Sequence, residues 1–257
     1  MSLAFVLLLA AAPLPARAAK ILVVASEPIS VSSEEAIEGL RSGCTEAITV
    51  VSAGRPLPPG PHGVIVAFGG RAARRAREGA APTVVALAPA FRDEGPSLVR
   101  VAMTPSPERF IELLQAAGAR RLLAVRGTPA DSDFVRRAAI AGKAAGIVID
   151  DRLLSSPDRL PGLLRRVGTL ADAVWLAPDP AAVTPETYGV IREFSRARSI
   201  PFFAPTEGLV ADGIRSDLTV SFRECGREAA RAAVNLLAGR SVPKVVYADP
   251  RLVSEAR

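Results

Sequence analysis

The sequence predicts an α/β protein made of two similar doubly wound parallel-sheet lobes joined by a hinge. Short runs of Val, Ile, Leu and Ala alternate with longer amphipathic segments, which is typical of βα units around a parallel sheet. The pattern restarts after Thr104-Pro105-Ser106-Pro107. The 257 residues are 49% hydrophobic and 23% charged, which is typical of a globular chain and excludes disorder or a disulfide-dense miniprotein.

The N-terminus resembles a secretory signal peptide in its pattern. The apolar run Leu3 to Ala12 is followed by Ala16-Arg17-Ala18, which is a small-residue cleavage pattern. An uncleaved anchor is the alternative, but a membrane-spanning helix needs about 20 apolar residues and this run is half that length. We therefore expect residues 1–18 to be a signal peptide cleaved after Ala18, and the mature chain to be periplasmic or extracellular.

The first lobe is predicted to span residues 19–105, completed by residues 220–257. A helix with Ser32 or Ser33 as N-cap is expected at Ser33 to Arg41, and another around Arg71 to Glu78. The five strands predicted before the hinge are Lys20 to Ala25, Ala47 to Val51, Gly63 to Phe68, Thr83 to Leu87 and Leu98 to Ala102.

The second lobe, residues 106–219, repeats the order of strands and helices. Ser106 and Pro107 form a helix-start signal, and the hinge is expected near residues 103–106. The predicted helices are Glu108 to Ala117, Asp131 to Ala145, Asp158 to Val167 and Pro185 to Arg198. The predicted strands are Arg121 to Val125, Gly146 to Ile149, Ala173 to Leu176 and Pro201 to Ala204.

The first lobe is predicted to be shortened. Ile48 and Val64 are 16 positions apart, whereas the equivalent Ile147 and Val174 are 27 apart. The connecting segment SAGRPLPPGPHG holds four prolines and three glycines, so it cannot form the expected crossover helix. The tail is predicted to form a strand at residues 218–222, a helix at 224–238 and a strand at 244–247, which we expect to return to the first lobe.

The composition argues against nucleic-acid binding despite a net charge of +6. The basic residues are distributed along helix faces between acids, and with one Trp and two Tyr there are few rings for base stacking. The one dense cluster, which a solvated helix face explains, is Arg71, Arg74, Arg75 and Arg77.

The sequence shows no pattern for metal, cofactor or covalent chemistry. It lacks a P-loop, a GxGxxG after a strand and a GxSxG elbow, and His62 is its single histidine. The neighbouring carboxylates Asp150 and Asp151 would point to opposite faces of a strand. Cys44 and Cys225 could form a disulfide after export or remain free. We expect no cofactor, no metal and no enzymatic activity.

Ligand contacts are expected at the carboxyl ends of the strands, where doubly wound sheets bind small molecules. Glycines there let a backbone approach a ligand, but they are equally typical of a tight βα turn, and solvated loop residues are the alternative for the acids. The candidates are Ser26, Glu27, Gly69, Gly70 and Pro89 in the first lobe, and Gly127, Thr128, Asp179, Thr206 and Glu207 in the second.

Three segments carry a family resemblance: ADAVWLAPDPAAV (171–183), REFSRARSIPFFAPTEG (192–208) and SFRECGREAARAAVNLLAGRSVPKVV (221–246). With them the second lobe and tail, about half of the chain, resemble ABC transporter substrate-binding proteins of the tryptophan/tyrosine type, which have the type I periplasmic binding protein fold. The resemblance singles out Asp179, whose carboxylate would pair with a ligand ammonium. An N-cap or turn aspartate is the alternative.

The resemblance implies a protein that closes two lobes on an amino acid-like ligand and hands it to a permease in the inner membrane. The chain departs from the family at Pro178-Asp179-Pro180, where Thr-Asp-Asn is usual, and at Pro205-Thr206-Glu207, where an acidic residue is usual. The alternative is a ligand-sensing or receptor-docking module of the same fold. An enzyme on this scaffold is a third class, without a convergent set of acid, base and nucleophile.

Overall fold

The protein consists of two parallel sheets flanked by helices. The computed structural model describes residues 20–91, 95–129, 132–167, 170–210 and 213–250. The strands are β1 (Ile21–Ala25), β2 (Ile48–Ser52), β3 (Val64–Phe68), β4 (Thr83–Ala86), β5 (Leu98–Ala102), β6 (Arg121–Arg126), β7 (Val148–Leu153), β8 (Ala173–Leu176), β9 (Phe202–Phe203), β10 (Ile214–Arg215) and β11 (Val245–Tyr247). The helices are α1 (Val31–Gly43), α2 (Gly70–Ala76), α3 (Pro107–Ala116), α4 (Ser132–Ala144), α5 (Leu160–Val167), α6 (Pro185–Arg198) and α7 (Phe222–Leu237).

Five strands of the first sheet have the same order as the five strands of the second, and β11 adds a sixth strand at the edge of the first. The six-stranded sheet runs β11-β5-β4-β3-β1-β2, and the five-stranded sheet runs β10-β9-β8-β6-β7. All the strand pairs are parallel. The predicted α/β fold with two doubly wound parallel sheets is confirmed.

The central strands of the first sheet are buried on both faces. β1 and β3 have every residue buried, as expected for Val- and Ile-rich strands of a parallel sheet covered on two sides. Side chains of α1 and α7 contribute to the core on one face of this sheet, and those of α2 contribute to the core on the other. The second sheet likewise has a core on each face.

Helices α1 and α7 approach each other closely because glycines line their contact. A Cβ added to Gly226 would lie 1.9 Å from the carbonyl oxygen of Ala36, and one added to Gly39 would lie 2.0 Å from that of Arg223. Neither backbone oxygen can move without shifting its helix. The glycine in α7 is therefore a packing requirement.

The shortened first lobe is confirmed. Residues 53–63, between β2 and β3, contain turns and no helix, whereas α5 lies between β7 and β8. Leu57 of this segment packs against the core that α2 also covers. The guanidinium Nε of Arg75 donates to the Ala53 carbonyl oxygen at 3.1 Å, which fixes the start of the segment.

Between residues 20 and 250 the described chain passes from one sheet to the other at residues 103–106 and again at 216–221. Afterwards α7 packs on α1, and β11 pairs with β5 of the first sheet. The lobe boundaries at residues 105 and 219 remain predictions, as does the signal peptide, whose 18 residues lie outside the described part of the chain. Within that part, no helix has the length and apolarity to cross a bilayer.

Several predicted element bounds were wrong. Helix α1 begins at Val31, with the Ser30 hydroxyl accepting from the Ser33 amide, and not at a cap on Ser32 or Ser33. β7 continues through Asp150 and Asp151 to Leu153, because an edge strand can accommodate charged side chains on both faces. The predicted Asp131 cap lies outside the described residues.

The segment LTVSF (218–222) is not a strand. Its apolar residues Leu218 and Val220 are buried in the passage between the sheets, and so is Thr219, whose hydroxyl donates to the Ala204 carbonyl oxygen at 3.0 Å. Ser221 then caps α7 by accepting from the Glu224 amide. The last strand of the second sheet is instead the two-residue β10, which the sequence did not indicate.

Candidate functional site

The topological switch point of each sheet lies at the strand next to one edge, which is β1 in the first sheet and β6 in the second. β1 pairs with β2 on one side and β3 on the other, and β6 pairs in the same way with β7 and β8. The loops after such strands separate and leave a crevice at the carboxyl edge of the sheet, where ligands of doubly wound proteins bind. Most candidate residues follow β1, β3, β6 or β8, whereas Pro89 follows β4, and Thr206 and Glu207 follow β9.

In the first lobe the structure brings Ser26 and Gly69 together. A Cβ built on Gly69 would lie 4.0 Å from the Ser26 hydroxyl oxygen. Gly69 has φ of 96°, which favours glycine, and its amide donates to the Ala86 carbonyl oxygen at 2.9 Å. These features support the tight-turn interpretation of Gly69-Gly70, and the turn lies beside Ser26 at the crevice.

The charges beside this turn are unpaired within the described residues. Glu27 is exposed and has no hydrogen bond or ion pair there, and neither has Arg74, whose Nη1 lies 3.9 Å from the position of a Cβ on Gly70. The sequence pattern favours a solvated helix face for Arg74. Arg74 is four residues after Gly70, and this spacing is the signal that places both residues on the same side of α2.

Two exposed apolar side chains follow Glu27, one on the β1–α1 connection and the other at the first residue of α1. Ile29 is 43% exposed and Val31 is 69% exposed, although each is large and hydrophobic. Pro89, the candidate after β4, is partly buried and follows Leu87, whose φ is 55°. The first lobe thus offers a hydroxyl, an acid, a base and an apolar surface at its carboxyl edge.

In the second lobe the Asp179 carboxylate is bonded within the protein. Asp179 is 3% exposed, and its Oδ2 accepts from the Gly127 amide at 2.9 Å and from the Thr128 amide and hydroxyl at 2.6 and 2.8 Å. Its Oδ1 accepts from the Ala181 amide at 3.0 Å. We call Gly127, Thr128, Asp179 and Ala181 the Asp179 cluster.

The Asp179 cluster joins the loops after β6 and β8. A Cβ on Gly127 would lie 2.6 Å from backbone atoms of Ala181 and Ala182, so this glycine permits close approach of the two loops. Four protein donors use most of the acceptor capacity of the carboxylate. The geometry favours the turn interpretation of Asp179, and its contact with a ligand ammonium stays a prediction.

Thr206 and Glu207 begin a short 3-10 turn (Glu207–Leu209) after β9. Glu207 Oε1 accepts from the Phe222 amide and so binds the first turn of α7. Burial raises the pKa of the Glu207 carboxyl, helped by the nearby Glu35 carboxylate, while the Phe222 amide and Arg223 oppose the shift. Thr206 makes no side-chain cap of the turn.

An ion pair that no sequence pattern indicated lies beneath the loop after β6. Arg126, only 8% exposed, donates from Nε and Nη2 to both oxygens of Asp151 at 2.7 Å, and from Nη1 to the Thr128 carbonyl oxygen at 2.7 Å. Asp150 pairs with Arg152, whose Nε lies 2.6 Å from Oδ1. As expected, Asp150 and Asp151 do not converge on one atom.

The described residues hold no group of three or more potential metal ligands. Cys44 and Cys225 are both free thiols in this structure. Burial raises the pKa of the Cys225 thiol to about 12, with Glu207 and Glu224 adding to the effect, so this thiol is protonated at neutral pH. The His62 ring lies in the Pro-rich connection, with Nε2 3.0 Å from the Pro58 carbonyl oxygen.

No protein-family model matches the chain, and no curated protein matches its sequence. Solved structures match it over most of its length. An ABC domain in complex with L-Trp from Streptococcus pneumonia has a TM-score of 0.59 at 15% identity, with 90% of each chain covered. A ligand-free, open substrate-binding protein with adhesive properties from Clostridium difficile has a TM-score of 0.56 at 15% identity, covering 89% of this chain and 88% of that one.

Other similar structures include a transcription regulator. A glucose-galactose binding protein from Geobacillus stearothermophilus has a TM-score of 0.54 at 12% identity, covering 91% and 96%. A periplasmic binding ribose operon repressor protein from Lactobacillus acidophilus has a TM-score of 0.51 at 12% identity, covering 92% and 98%. These neighbours are binding proteins and regulators. The chain therefore has the type I periplasmic binding protein fold.

Proposed function

We propose that the chain is the substrate-binding protein of an ABC transporter, which captures a small polar, amino acid-like ligand between its lobes and delivers it to a permease in the inner membrane. The observation that carries this proposal is the repetition of one switch point in two sheets, joined by the two short passages at residues 103–106 and 216–221. Such an arrangement suits a crevice that opens and closes by a hinge motion.

The first lobe supplies the polar groups for recognition. Glu27 is an acceptor for a ligand ammonium, Arg74 is a donor for a ligand carboxylate, and the Ser26 hydroxyl can donate or accept. The exposed Ile29 and Val31 suit an apolar side chain on the same ligand. The second lobe supplies a rigid wall, since the Asp179 cluster is already bonded internally.

Export belongs to the same proposal. Residues 1–18 have the pattern of a cleaved signal peptide, which would place the mature protein in the periplasm, where substrate-binding proteins meet their ligands. The proposal is one of binding without chemical conversion, with no cofactor or metal. Its partners are the small molecule and the permease, and not nucleic acid.

Calorimetry and thermal melts of residues 19–257 against amino acids and other small metabolites test this function. We expect one class of small molecule to bind and to raise the melting temperature. Glu27→Gln and Arg74→Gln should each raise the Kd at least tenfold without changing the stability of the free protein, since each removes one charged contact with the ligand. Glu112→Gln, an exposed acid on α3, is the matched control. Absence of heat and of any melting shift at millimolar ligand would overturn the proposal.

The missing crossover helix favours a second candidate, a ligand-sensing or receptor-docking module of the same fold. The β2–β3 connection in residues 53–63 departs from the repeated βα pattern. Cross-linking of the ligand-loaded protein in membranes of its own cells separates the two. Recovery of a permease supports transport, and recovery of a sensor kinase or outer-membrane receptor supports sensing.

A further inference from the structure

β7 is an outer strand of the second sheet, and its outer edge has no strand partner within the part of the chain that the structure describes. It pairs only with β6 among the described strands. The Val148 amide donates to the Arg120 carbonyl oxygen at 2.8 Å and the Leu154 amide donates to that of Arg126 at 2.7 Å. Because the N–H and C=O of one strand residue point to the same side and successive residues alternate, the even-numbered residues of β7 face β6.

The backbone groups of Ile149, Asp151 and Leu153 therefore point away from the sheet. A row of unpaired strand groups is a template for pairing with another chain. Val148 and Leu153, at the two ends of β7 and on opposite faces of it, are each 51% exposed, and the charged residues Asp150, Asp151 and Arg152 lie between them. Ile140, on helix α4, which contacts β7, is 64% exposed.

The charges on β7 select a partner and a register. If β7 pairs antiparallel with β7 of a second copy, only its odd-numbered residues can exchange backbone hydrogen bonds with that copy. The two-fold axis then passes through residue 150, 151 or 152 when most of the strand is paired. Centring on Asp150 places it opposite its own copy, and centring on Arg152 does the same for two arginines. Like charges directly opposite are destabilising.

Centring on Asp151 makes the strand complementary to itself. Asp150 then faces Arg152 of the second copy, and Arg152 faces its Asp150, as close non-hydrogen-bonded pairs about 4.5 Å apart at Cα. Ile149 faces Leu153 of the second copy and exchanges backbone hydrogen bonds with it. The two Asp151 carboxylates are also like charges opposite one another at the centre. The nearly buried Arg126 of each copy neutralises its own Asp151 through two hydrogen bonds, whereas the partner of Asp150 within its own chain is the partly exposed Arg152.

We propose that this chain forms a two-fold dimer by antiparallel pairing of β7 with β7 of a second copy, centred on Asp151. The second sheets of the two copies join into one continuous ten-stranded sheet, since each contributes five strands. The proposed contact is made by the second sheet of each copy. It is independent of the ligand that the crevice takes.

Substitutions that exchange the charges at positions 150 and 152 test the dimer. Sedimentation velocity on residues 19–257, at protein concentrations up to about 100 µM, measures the dimer Kd. We expect the unmodified chain to dimerise. In this register residue 150 of each copy faces residue 152 of the other. Asp150→Arg alone therefore creates two arginine–arginine pairs, and Arg152→Asp alone creates two aspartate–aspartate pairs. Each should raise the dimer Kd about tenfold or more.

Mixing the two single variants supplies the matched control. Asp150→Arg and Arg152→Asp chains carry opposite charges at both paired positions, so an equimolar mixture should form a heterodimer with a lower Kd than either variant has for its own dimer. The double variant should dimerise like the unmodified chain, and circular dichroism checks that all variants fold. A monomeric unmodified chain, or single variants that dimerise undiminished, would overturn the proposal.

Discussion

Thr128 and Asp179, 51 positions apart in the chain, are joined by two hydrogen bonds to one oxygen. The amide and hydroxyl of Thr128 donate to Asp179 Oδ2 at 2.6 and 2.8 Å. Because Asp179 is almost fully buried, a loss of these acceptors leaves donors unsatisfied, which is more costly than loss of a bond at the surface. This contact fixes the loops that form the second-lobe side of the crevice.

Asp179→Asn should destabilise the protein strongly. The amide side chain has the same shape but only one acceptor oxygen, so either Gly127 and Thr128 or Ala181 would face an NH₂ group. We expect unfolding free energy to fall by about 2–4 kcal/mol in urea titrations. Asp158→Asn, at an exposed site, should change it by less than about 0.5 kcal/mol. Unchanged stability with lost ligand binding in the Asp179→Asn variant would instead make Asp179 a ligand contact.

Two glycine-to-alanine substitutions in helices should have opposite effects. Gly226→Ala places a methyl group against the Ala36 carbonyl oxygen and forces α1 and α7 apart, so we expect a loss of at least about 2 kcal/mol. Gly189→Ala, in α6, meets open space and should add up to about 1 kcal/mol through helix propensity. Urea denaturation of both variants measures this contrast, and equal effects would contradict the close packing of α1 and α7.

Glu207 should make stability depend on pH. A carboxyl whose pKa is raised on folding binds its proton more tightly in the folded state, so its contribution to stability decreases as pH rises above the ordinary value of 4.5. Glu207→Gln keeps an acceptor for the Phe222 amide without the buried charge. Its unfolding free energy relative to the unmodified chain should therefore increase between about pH 4.5 and pH 7.

Glu35→Gln checks the cause of that shift. Removing the neighbouring carboxylate should lower the pKa of Glu207 and reduce the pH effect, whereas Glu193→Gln, at an exposed helix site, should leave it unchanged. Urea titrations across the same pH range report both. A flat difference profile for Glu207→Gln would show that Glu207 ionises in the folded state as it does in the unfolded chain.

Arg126→Lys should be destabilising although it conserves the charge. A lysine cannot reproduce the two parallel bonds to Asp151 together with the third bond to the Thr128 carbonyl oxygen. We expect a loss of about 1–3 kcal/mol by urea denaturation. Arg109→Lys alters an exposed pair with Glu112 and should cost less than about 0.5 kcal/mol. Similar values for the two variants would contradict a structural role for Arg126.

Local signals in the sequence determined the two sheets, the order of their main strands along the chain and the absence of a helix between β2 and β3. Side-chain periodicity and proline content act within a few residues, so they can be interpreted from the chain alone. The same signals misassigned residues 218–222, because a buried connection between lobes also contains the apolar and β-branched residues that are typical of a strand.

Only the tertiary structure decided which candidate residues are bonded within the protein and which are free. Asp179 follows a strand just as Glu27 does, yet the loop after β6 brings three donors to Asp179 while Glu27 stays exposed and unpaired among the described residues. The pairing of Arg126 with Asp151 and the free edge of β7 depend in the same way on strand neighbours distant in sequence. Such contacts are set by the spatial order of strands in the sheet, which no local pattern encodes.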